Sequence, residues 1–509
     1  MKGSISEKIL TLDEIVDKVK ALKHEGKVVV QSHGVFDLIH PGIIKHLNQA
    51  KEAGDVLIVS VIQDTDVHRG PGRPIFQEVF RAENVASLEQ VDYVCLVNNE
   101  APFECIKRIQ PDIFAKGQAY HERDRRIHKR LFQEEKDFYS DKCRIIETEG
   151  FSFSSSHIIN NFLDIYPEET KRFLRDFKEK YSFSDIADMI NALKDLKVMV
   201  IGDGIIDEYH YCESLGKSSK ANLVVSKYLS HEVFAGGTFA VANHLAGLCD
   251  NVTMVSMLGK EDSREDFILK NLKQNIKTKF FYRDTGPTVI KKRYIHEYLN
   301  QKLFEVCYLN DDMIDGGCEA EIIDYLASEV PEYDMVMVSN FGHGFVTDKL
   351  IEAMKASAKV FAVNAQTNAA NVGYNLITKY HGPHYVCLDE SELRLSAQEK
   401  HADIEDVAKK IARSINADCL IVTLGKKGSF GVNHNNANRT PIFSHRVVDT
   451  VGAGDAFFAF TAPCYAKGMP LDILSFIGNA VGALAVQIVC NKKSVEKFEL
   501  LEFINTILK

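Results

Sequence analysis

The sequence predicts an α/β protein made of two doubly wound domains. Short apolar runs of strand length, such as Val28-Val29-Val30 and Val198-Met199-Val200-Ile201, alternate with amphipathic helical stretches. That alternation builds parallel sheets covered by helices. Several of these runs end in a glycine or an acid just before a helix, where such folds bind ligands. A length of 509 residues is too great for one core and suits two or three domains. A hydrophobic content of 45% supplies ample core, and a net charge of −10 implies no general affinity for nucleic acid. The eleven cysteines are spread singly from Cys95 to Cys490 with no C-x-x-C pair. This speaks against a zinc site or a disulfide framework and for a reducing cytoplasm. The charged N-terminus lacks a signal-peptide core, and no apolar run approaches the ~20 residues of a membrane span.

In chain order, Glu7 to Lys23 reads as one amphipathic helix and Lys27 to Ser32 as a buried strand. His33-Gly34-Val35-Phe36-Asp37 follows, and His40-Pro41-Gly42 opens a helix. A glycine after a strand, a helix N-terminus and an imidazole converging on one point form a phosphate-binding arrangement. Taken alone, one histidine there would as readily be a surface residue. Strands are expected at Asp55 to Gln63, Val91 to Val97 and Pro111 to Gly117, the last bearing Lys116 near its end. Between the first two lie the Arg69-Gly70-Pro71-Gly72-Arg73-Pro74 loop and Arg81 on a helix. The hydroxyl-rich run Ser154-Ser155-Ser156 reads as a helix start.

This region resembles the cytidylyltransferase-like nucleotidyltransferases, and in particular the nucleotidyltransferase half of the heptose kinase/ADP-heptose synthase family. The resemblance implies a Rossmann-like fold over residues 1–162 that binds CTP or ATP. It assigns Val35, Phe36, Asp37, Gly42, Lys116, Ser154, Ser155 and Ser156 to the nucleotide and a catalytic role to His40. The family motif is His-x-Gly-His, and Ile43 stands in place of its second histidine. Losing one oriented donor costs on the order of 10²–10³ in rate. His46, three residues on, is not expected to replace it. Ala119 stands where these relatives tend to carry an acid.

Residues 163–195 read as a helical linker with an apolar stripe of Phe173, Phe177 and Ile186, broken near Pro167. Residues 196–509 form the second domain. Its first strand ends in Gly202-Asp203, with Asp207 four residues later, and strand-end acids often grip sugar hydroxyls. Gly236-Gly237 separates a strand from a helix, and Thr288 to Arg293 is a further strand. Asn340-Phe341-Gly342-His343, Asn364-Ala365-Gln366, Asp389-Glu390-Ser391-Glu392 and Thr423-Leu424-Gly425-Lys426-Lys427-Gly428 each follow or end a strand. Last comes Asp449-Thr450-Val451-Gly452-Ala453-Gly454-Asp455, opening an apolar helical segment. A Gly-Ala-Gly turn at a helix start aims backbone amides at developing negative charge, and the adjacent acid can accept a proton. A lone Gly-x-Gly would be read as a loop with a capping aspartate; the seven-residue pattern is far more specific.

These pieces, in this order, resemble the ribokinase/PfkB family of sugar kinases, which implies a ribokinase-like fold with a small β lid. By that resemblance Asp455 is the catalytic base, with Gly452, Ala453 and Gly454 forming the anion hole. Asp203, Asp207, Gly236, Gly237 and Lys291 bind the sugar. Thr423, Gly425, Gly428, Asp449, Thr450 and Asn479 bind the nucleotide, and Glu392 organises Mg²⁺. Departures from the family pattern are Ala240 for a substrate asparagine, Glu305 for an arginine of heptose kinases, Asn340 for an aspartate, Asn364 to Gln366 for Asp-Pro-Lys, and Asp389 for an asparagine.

Three functions are compatible with these residues. The first is two-step sugar activation, phosphorylation by Mg²⁺–ATP and then nucleotidyl transfer to give an NDP-sugar, with the domain order reversed relative to the heptose enzymes. The second is a sugar kinase whose N-terminal domain binds nucleotide without turnover, which Ile43 favours. The third is a non-enzymatic sensor or scaffold of a glycan pathway, which Ala240, Asn340 and Asp389 favour and the intact Gly-Ala-Gly-Asp run opposes. The expected partners are a sugar or sugar phosphate and a second copy through the lid, with no nucleic acid and no membrane.

Overall fold

Two main sheets, one wholly and one largely parallel, and a smaller third sheet organise the chain. The computed structural model describes residues 5–67, 70, 72–98, 103–117, 143–148, 158–160, 165–434 and 436–509. The chain divides into two compact units, Met1–Ala187 with Leu501–Lys509, and Asp188–Leu500. Ser154, Ser155, Ser156, Arg69, Pro71 and Ala119 lie outside the described residues.

In the first unit, β1 (Val29–Gly34), β2 (Val56–Ile62), β3 (Tyr93–Val97), β4 (Ile113–Gly117) and β5 (Arg144–Thr148) form one parallel sheet in the order β3-β2-β1-β4-β5. β2 is seven consecutive buried residues, as a strand covered on both faces requires. β5 is not among the expected strands, because all but its last residue are exposed or half-buried and it forms no apolar run. The expected single N-terminal helix is two, Ile5–Lys8 and Leu12–His24. Thr11 interrupts it: its hydroxyl caps the Glu14 amide, and the Glu14 carboxylate accepts the Thr11 N–H at 2.8 Å. This reciprocal cap starts a new helix where periodicity alone runs on. The helices Glu168–Lys180 and Phe183–Asn191 occupy the stretch read as a linker. There Phe177 and Ile186 are buried, and Phe173 stacks on Phe177 at 5.7 Å.

The second unit holds β6 (Lys197–Gly202), β7 (Gly204–Lys217), β8 (Val224–Gly237), β9 (Asn251–Gly259), β10 (Ile276–Arg283), β11 (Val289–His296), β12 (Gln301–Tyr308), β13 (Met335–Asn340), β14 (Phe361–Ala365), β15 (Tyr385–Asp389), β16 (Cys419–Thr423), β17 (Ser429–Asn433) and β18 (Ala437–Thr440). Nine form the main sheet in the order β10-β9-β6-β13-β14-β15-β16-β17-β18, parallel from β10 to β16 and antiparallel thereafter. β12, β11, β7 and β8 form a separate four-stranded sheet in that order, the expected lid. Register sets Gly202 beside Ser339, Asn340 beside Ala365, and Asp389 beside Thr423. The carboxyl ends of β6, β13, β14, β15 and β16 therefore lie side by side, and the helix Ala453–Ala466 packs against this sheet with its first turn near them.

Candidate active site

Asp455 lies in the first turn of the helix Ala453–Ala466 and is buried. Its Oδ1 accepts a hydrogen bond from Gln366 Nε2 at 2.6 Å. Burial pushes this carboxyl up to about 7; the Gln366 bond and the Lys291 charge oppose the rise, and Asp207 adds to it. A base poised near neutrality can take a hydroxyl proton and release it again. Gly452, the residue before the helix, has φ +85°, and a Cβ there would lie 2.2 Å from Asn491 Oδ1. The Ala453 amide donates to Thr450 O at 3.3 Å, whereas the amides of Gly454 and Asp455 have no intrahelical acceptor. A Cβ on Gly454 would meet nothing within 4 Å, which leaves room for a ligand.

The residues expected to bind the sugar lie at the end of β6 and on the lid. Asp203 Oδ2 accepts the backbone amides of Phe341 at 2.8 Å and His343 at 3.4 Å, tying the end of β6 to the turn after β13. His343 is buried with both ring nitrogens unpartnered, and burial lowers its pKa below the ordinary histidine value. It lines, with Asp203 and Arg283, a cavity of about 10 Å³, room for one water. Asp207 on β7 is paired with Arg293 on β11, and Arg293 Nε reaches Glu305 on β12 at 2.7 Å. Burial works against the guanidinium charge, but Asp207 and Glu305 outweigh it and raise its pKa above the ordinary value. Glu305 is thus an internal partner of Arg293, which accounts for an acid at a position expected to be basic. Lys291 is buried beside the Phe341 ring, 5.9 Å from its centroid.

Gly236 packs directly on the Asp207 carboxylate: a Cβ there would stand 2.0 Å from Asp207 Oδ2. Gly236→Ala is therefore expected to swing Asp207 off its present position and raise the acceptor KM about tenfold, with the nucleotide KM within twofold. Such a displacement costs about 1.4 kcal/mol per decade. Steady-state kinetics at varied acceptor concentration checks this. Gly237 closes the strand with φ +58°.

Among the residues expected at the nucleotide, Asp449 is engaged by protein groups. Its oxygens accept from the Tyr209 hydroxyl and Lys302 Nζ, both at 2.7 Å, and from the amides of Val451 and Cys490 at 3.1 Å. It fastens the lid strands β7 and β12 to the turn before Gly452, and in this arrangement its carboxylate holds protein groups. Thr450 is exposed beside it. Gly425 and Gly428 bound a single 3-10 turn after β16, and Thr423 donates to Leu388 O at 3.4 Å. Asn479 reaches the same strand end, because Ser429 follows Gly428 and pairs with Thr423. Its amide donates to Ser429 Oγ at 2.6 Å and Ser475 O at 2.8 Å, joining the helix Leu471–Ala485 to β17.

Glu392 caps the helix Glu390–Ala397 reciprocally with Asp389. Its carboxylate accepts the amides of Asp389 at 2.8 Å and Thr367 at 3.1 Å. Burial pushes it up to about 8, with Asp389 raising it and Asp455 adding to the rise. Buried acids that disfavour one another's charge fit a cation between them. Among the described residues no three acids, histidines or cysteines cluster closely enough to hold a metal alone. Both Glu392 carboxylate oxygens already accept amides, which suits contact with Mg²⁺ through water.

In the first unit, His40 caps the helix Pro41–Glu52. Its Nδ1 accepts the Gly42 amide at 3.2 Å, so the proton sits on Nε2, and burial lowers the ring pKa. This imidazole is a neutral donor. Ile43 packs against the apolar core formed by Val30, Phe36 and Leu47. Both ring nitrogens of His46 are spent, on Ser32 Oγ at 2.7 Å and Thr148 Oγ1 at 2.6 Å, and burial pushes its pKa down to about 4. His46 does not take over the missing histidine's place. Asp37 accepts the amides of Ile75 at 2.8 Å and Phe76 at 3.0 Å, so its carboxylate fixes the loop that follows Gly72. Val35 and Phe36 are buried in the core, and Lys116 is buried at the end of β4. Arg81 is wholly buried and binds Phe76 O, Ile62 O, Val35 O and Asp64.

The structure thus brings Asp455, Asp207, Lys291, Gln366 and Glu392 into one electrostatic neighbourhood. Gln366, which stands in place of the lysine of the family's Asp-Pro-Lys, belongs to it, as does Arg293 through Asp207, while Lys302 binds Asp449. The carboxamide-rich run from Asn364 to Asn375 was the available signal. A cavity of about 380 Å³ elsewhere in this unit contains none of these side chains. Of its charged lining, Lys273 pairs with Glu496 and Lys493 with Glu499, and Lys492 pairs with Glu232 outside it.

Residues 195–491 match the family model described as pfkB family carbohydrate kinase, and residues 32–162 match the cytidylyltransferase-like model. The chain belongs to the pfkB family of carbohydrate kinases, with a cytidylyltransferase-like region preceding the kinase region. It is similar to the protein named bifunctional protein HldE of a Nitratiruptor species, 45% identical over 121 residues, which are 23% of this chain and 26% of that protein. A protein of the same name from Trichlorobacter lovleyi is 24% identical over 297 residues, 57% of this chain and 59% of that protein. The matches thus span from about a quarter to three fifths of these relatives' length. Phosphofructokinase-2 from Escherichia coli, in complex with substrates and products, shares the fold over 62% of this chain and 100% of its own, with a TM-score of 0.51 and 14% identity. Family membership implies ATP and Mg²⁺ in general. Among the described residues no helix is long and apolar enough to cross a membrane.

Proposed function

We propose that the chain transfers the γ-phosphoryl group of ATP to a hydroxyl of a sugar or sugar phosphate. The single observation that carries this reading is Asp455, a buried carboxylate pushed up to about 7 at the start of a helix whose first amides face the same point. In this mechanism Asp203 and Asp207 orient the acceptor hydroxyls, and Asp455 takes the proton of the attacking one. The amides of Gly454 and Asp455 receive the charge that develops on the transferred group. Glu392 would organise Mg²⁺, which would supply charge neutralisation at the nucleotide phosphates.

The expected pH dependence follows from the sign of the Asp455 shift. The base works only when ionised, so kcat should rise with pH through about 7 and level off above it. A kcat profile flat between about pH 5.5 and 8.5 would remove Asp455 from that role.

Nucleotidyl transfer to give an NDP-sugar is the second reading. The similarity of residues within 32–162 to cytidylyltransferase-like proteins and to HldE proteins favours it. One neutral imidazole, His40, is available for it, so turnover slower than a two-histidine site by about 10²–10³ is expected. A homodimer formed through the lid, and cytoplasmic residence, complete the proposal.

A further inference from the structure

Gln366 follows β14 directly and is held from several sides. Its amide N–H donates to Asn340 O at 2.8 Å, and its carbonyl accepts Asn375 Nδ2 at 2.9 Å. Its side-chain Nε2 donates to Asn364 Oδ1 at 3.0 Å and to Asp455 Oδ1 at 2.6 Å. Asn364 is itself anchored on Cys387 O at 2.8 Å, and Asn340 on the Tyr380 hydroxyl at 2.7 Å. Both acceptors of the Gln366 tip are oxygens, so the amide orientation is fixed: its nitrogen faces Asp455 and both N–H groups are used. Among the described residues this is the side-chain hydrogen bond that Asp455 receives.

We infer that Gln366 is the positioning residue of the kinase base: its amide pins Oδ1 of Asp455, so that Oδ2 is presented to the acceptor hydroxyl, and it keeps the carboxylate in its proton-accepting form. This rests on the kinase reading of the site. A carboxamide suits the task because it neither accepts the proton nor carries a charge. A lysine at this point would stabilise the carboxylate with a full positive charge and weaken it as a base, whereas an apolar side chain would leave it loose and favour its protonated form. The other groups facing Asp455 are Asp207 from β7, Lys291 from β11, Cys387 from β15 and Glu392 from the helix Glu390–Ala397. Asp207 is already paired with Arg293, and Lys291 is the cation of this set. The balance around the base is therefore sensitive to the one neutral donor that touches it.

The test uses the full chain with saturating Mg²⁺–ATP and a sugar that supports ADP release, from about pH 5.5 to 9. Gln366→Leu should move the acid limb of the kcat profile up by about one pH unit and lower kcat at pH 7 about tenfold. Gln366→Lys should move that limb down and lower the plateau. Nucleotide Kd and Tm should change little in both, because a merely structural role would move those and leave the limb in place. A second readout needs no turnover. ¹³C-carboxyl NMR of aspartate-labelled chain, with the Asp455 signal assigned by its loss in Asp455→Asn, should show Asp455 titrating at higher pH in Gln366→Leu. Unmoved limbs in both variants, or an unmoved NMR titration, overturn the role of Gln366. ADP release that survives Asp455→Asn would overturn the kinase reading itself, which is a separate outcome.

Discussion

Asp455→Asn is expected to lower kcat for ADP release by about 10²–10⁴, or roughly 3–5 kcal/mol of transition-state stabilisation. Asparagine preserves the shape and still accepts the Gln366 hydrogen bond through its own oxygen, so the fold should hold. What is lost is proton acceptance at a group that burial has poised at about 7. The nucleotide Kd should stay within about threefold, since the Gly454 amide is untouched, and relief of like charge near Asp207 and Glu392 favours the neutral residue. The measurement is initial ADP release at saturating acceptor, alongside calorimetric binding of ATP. A kcat within threefold of the unmodified chain would contradict the assignment.

Arg293→Met is expected to destabilise the second unit by about 3–5 kcal/mol, because it strips the partner from a buried carboxylate. Asp207 has a relative exposure of 4%, and Arg293 bridges it to Glu305 across the lid. Methionine replaces most of the volume and none of the charge. The double substitution Arg293→Met with Asp207→Asn should recover much of the loss, since the orphaned charge is then absent. Urea unfolding of the two variants measures both effects. A loss below about 1 kcal/mol in the single variant would mean that the pair is solvated and contributes as little as a surface bridge.

Much of the fold is legible in the sequence because its signals are local. Apolar runs such as 56–62 fix buried strands, and the Gly-Ala-Gly-Asp run fixes a helix start. The N-terminal helix break is not, because a capping box at Thr11 and Glu14 outweighs continuous amphipathicity. β5 is hidden because it is defined by pairing with β4, a strand distant in sequence, with no apolar run to announce it. Of the expected site residues, Asp203 follows a strand end, Asp207 lies within β7, and Asp455 opens a helix, positions that the local pattern around Asp203 and Asp455 announces. At Gln366 the sequence shows only a departure from the family's Asp-Pro-Lys, and at Arg293 only a strand residue. A glutamine after one strand and an arginine within another acquire meaning only when the sheet brings them to Asp455 and Asp207. Asp449 and Asn479 show the converse: motif positions whose polar groups are occupied here by Lys302, Tyr209, Ser429 and Ser475.

The most direct test of the kinase assignment is product analysis by ³¹P NMR. The purified chain is incubated with Mg²⁺, ATP or CTP, and a panel of sugars and sugar phosphates, with Asp455→Asn run in parallel. The expected result is ADP together with a new sugar phosphate ester for at least one acceptor, lost in Asp455→Asn, with pyrophosphate released far more slowly if at all. No phosphate ester with any acceptor while ATP remains bound, or ester formation undiminished in Asp455→Asn, would contradict it.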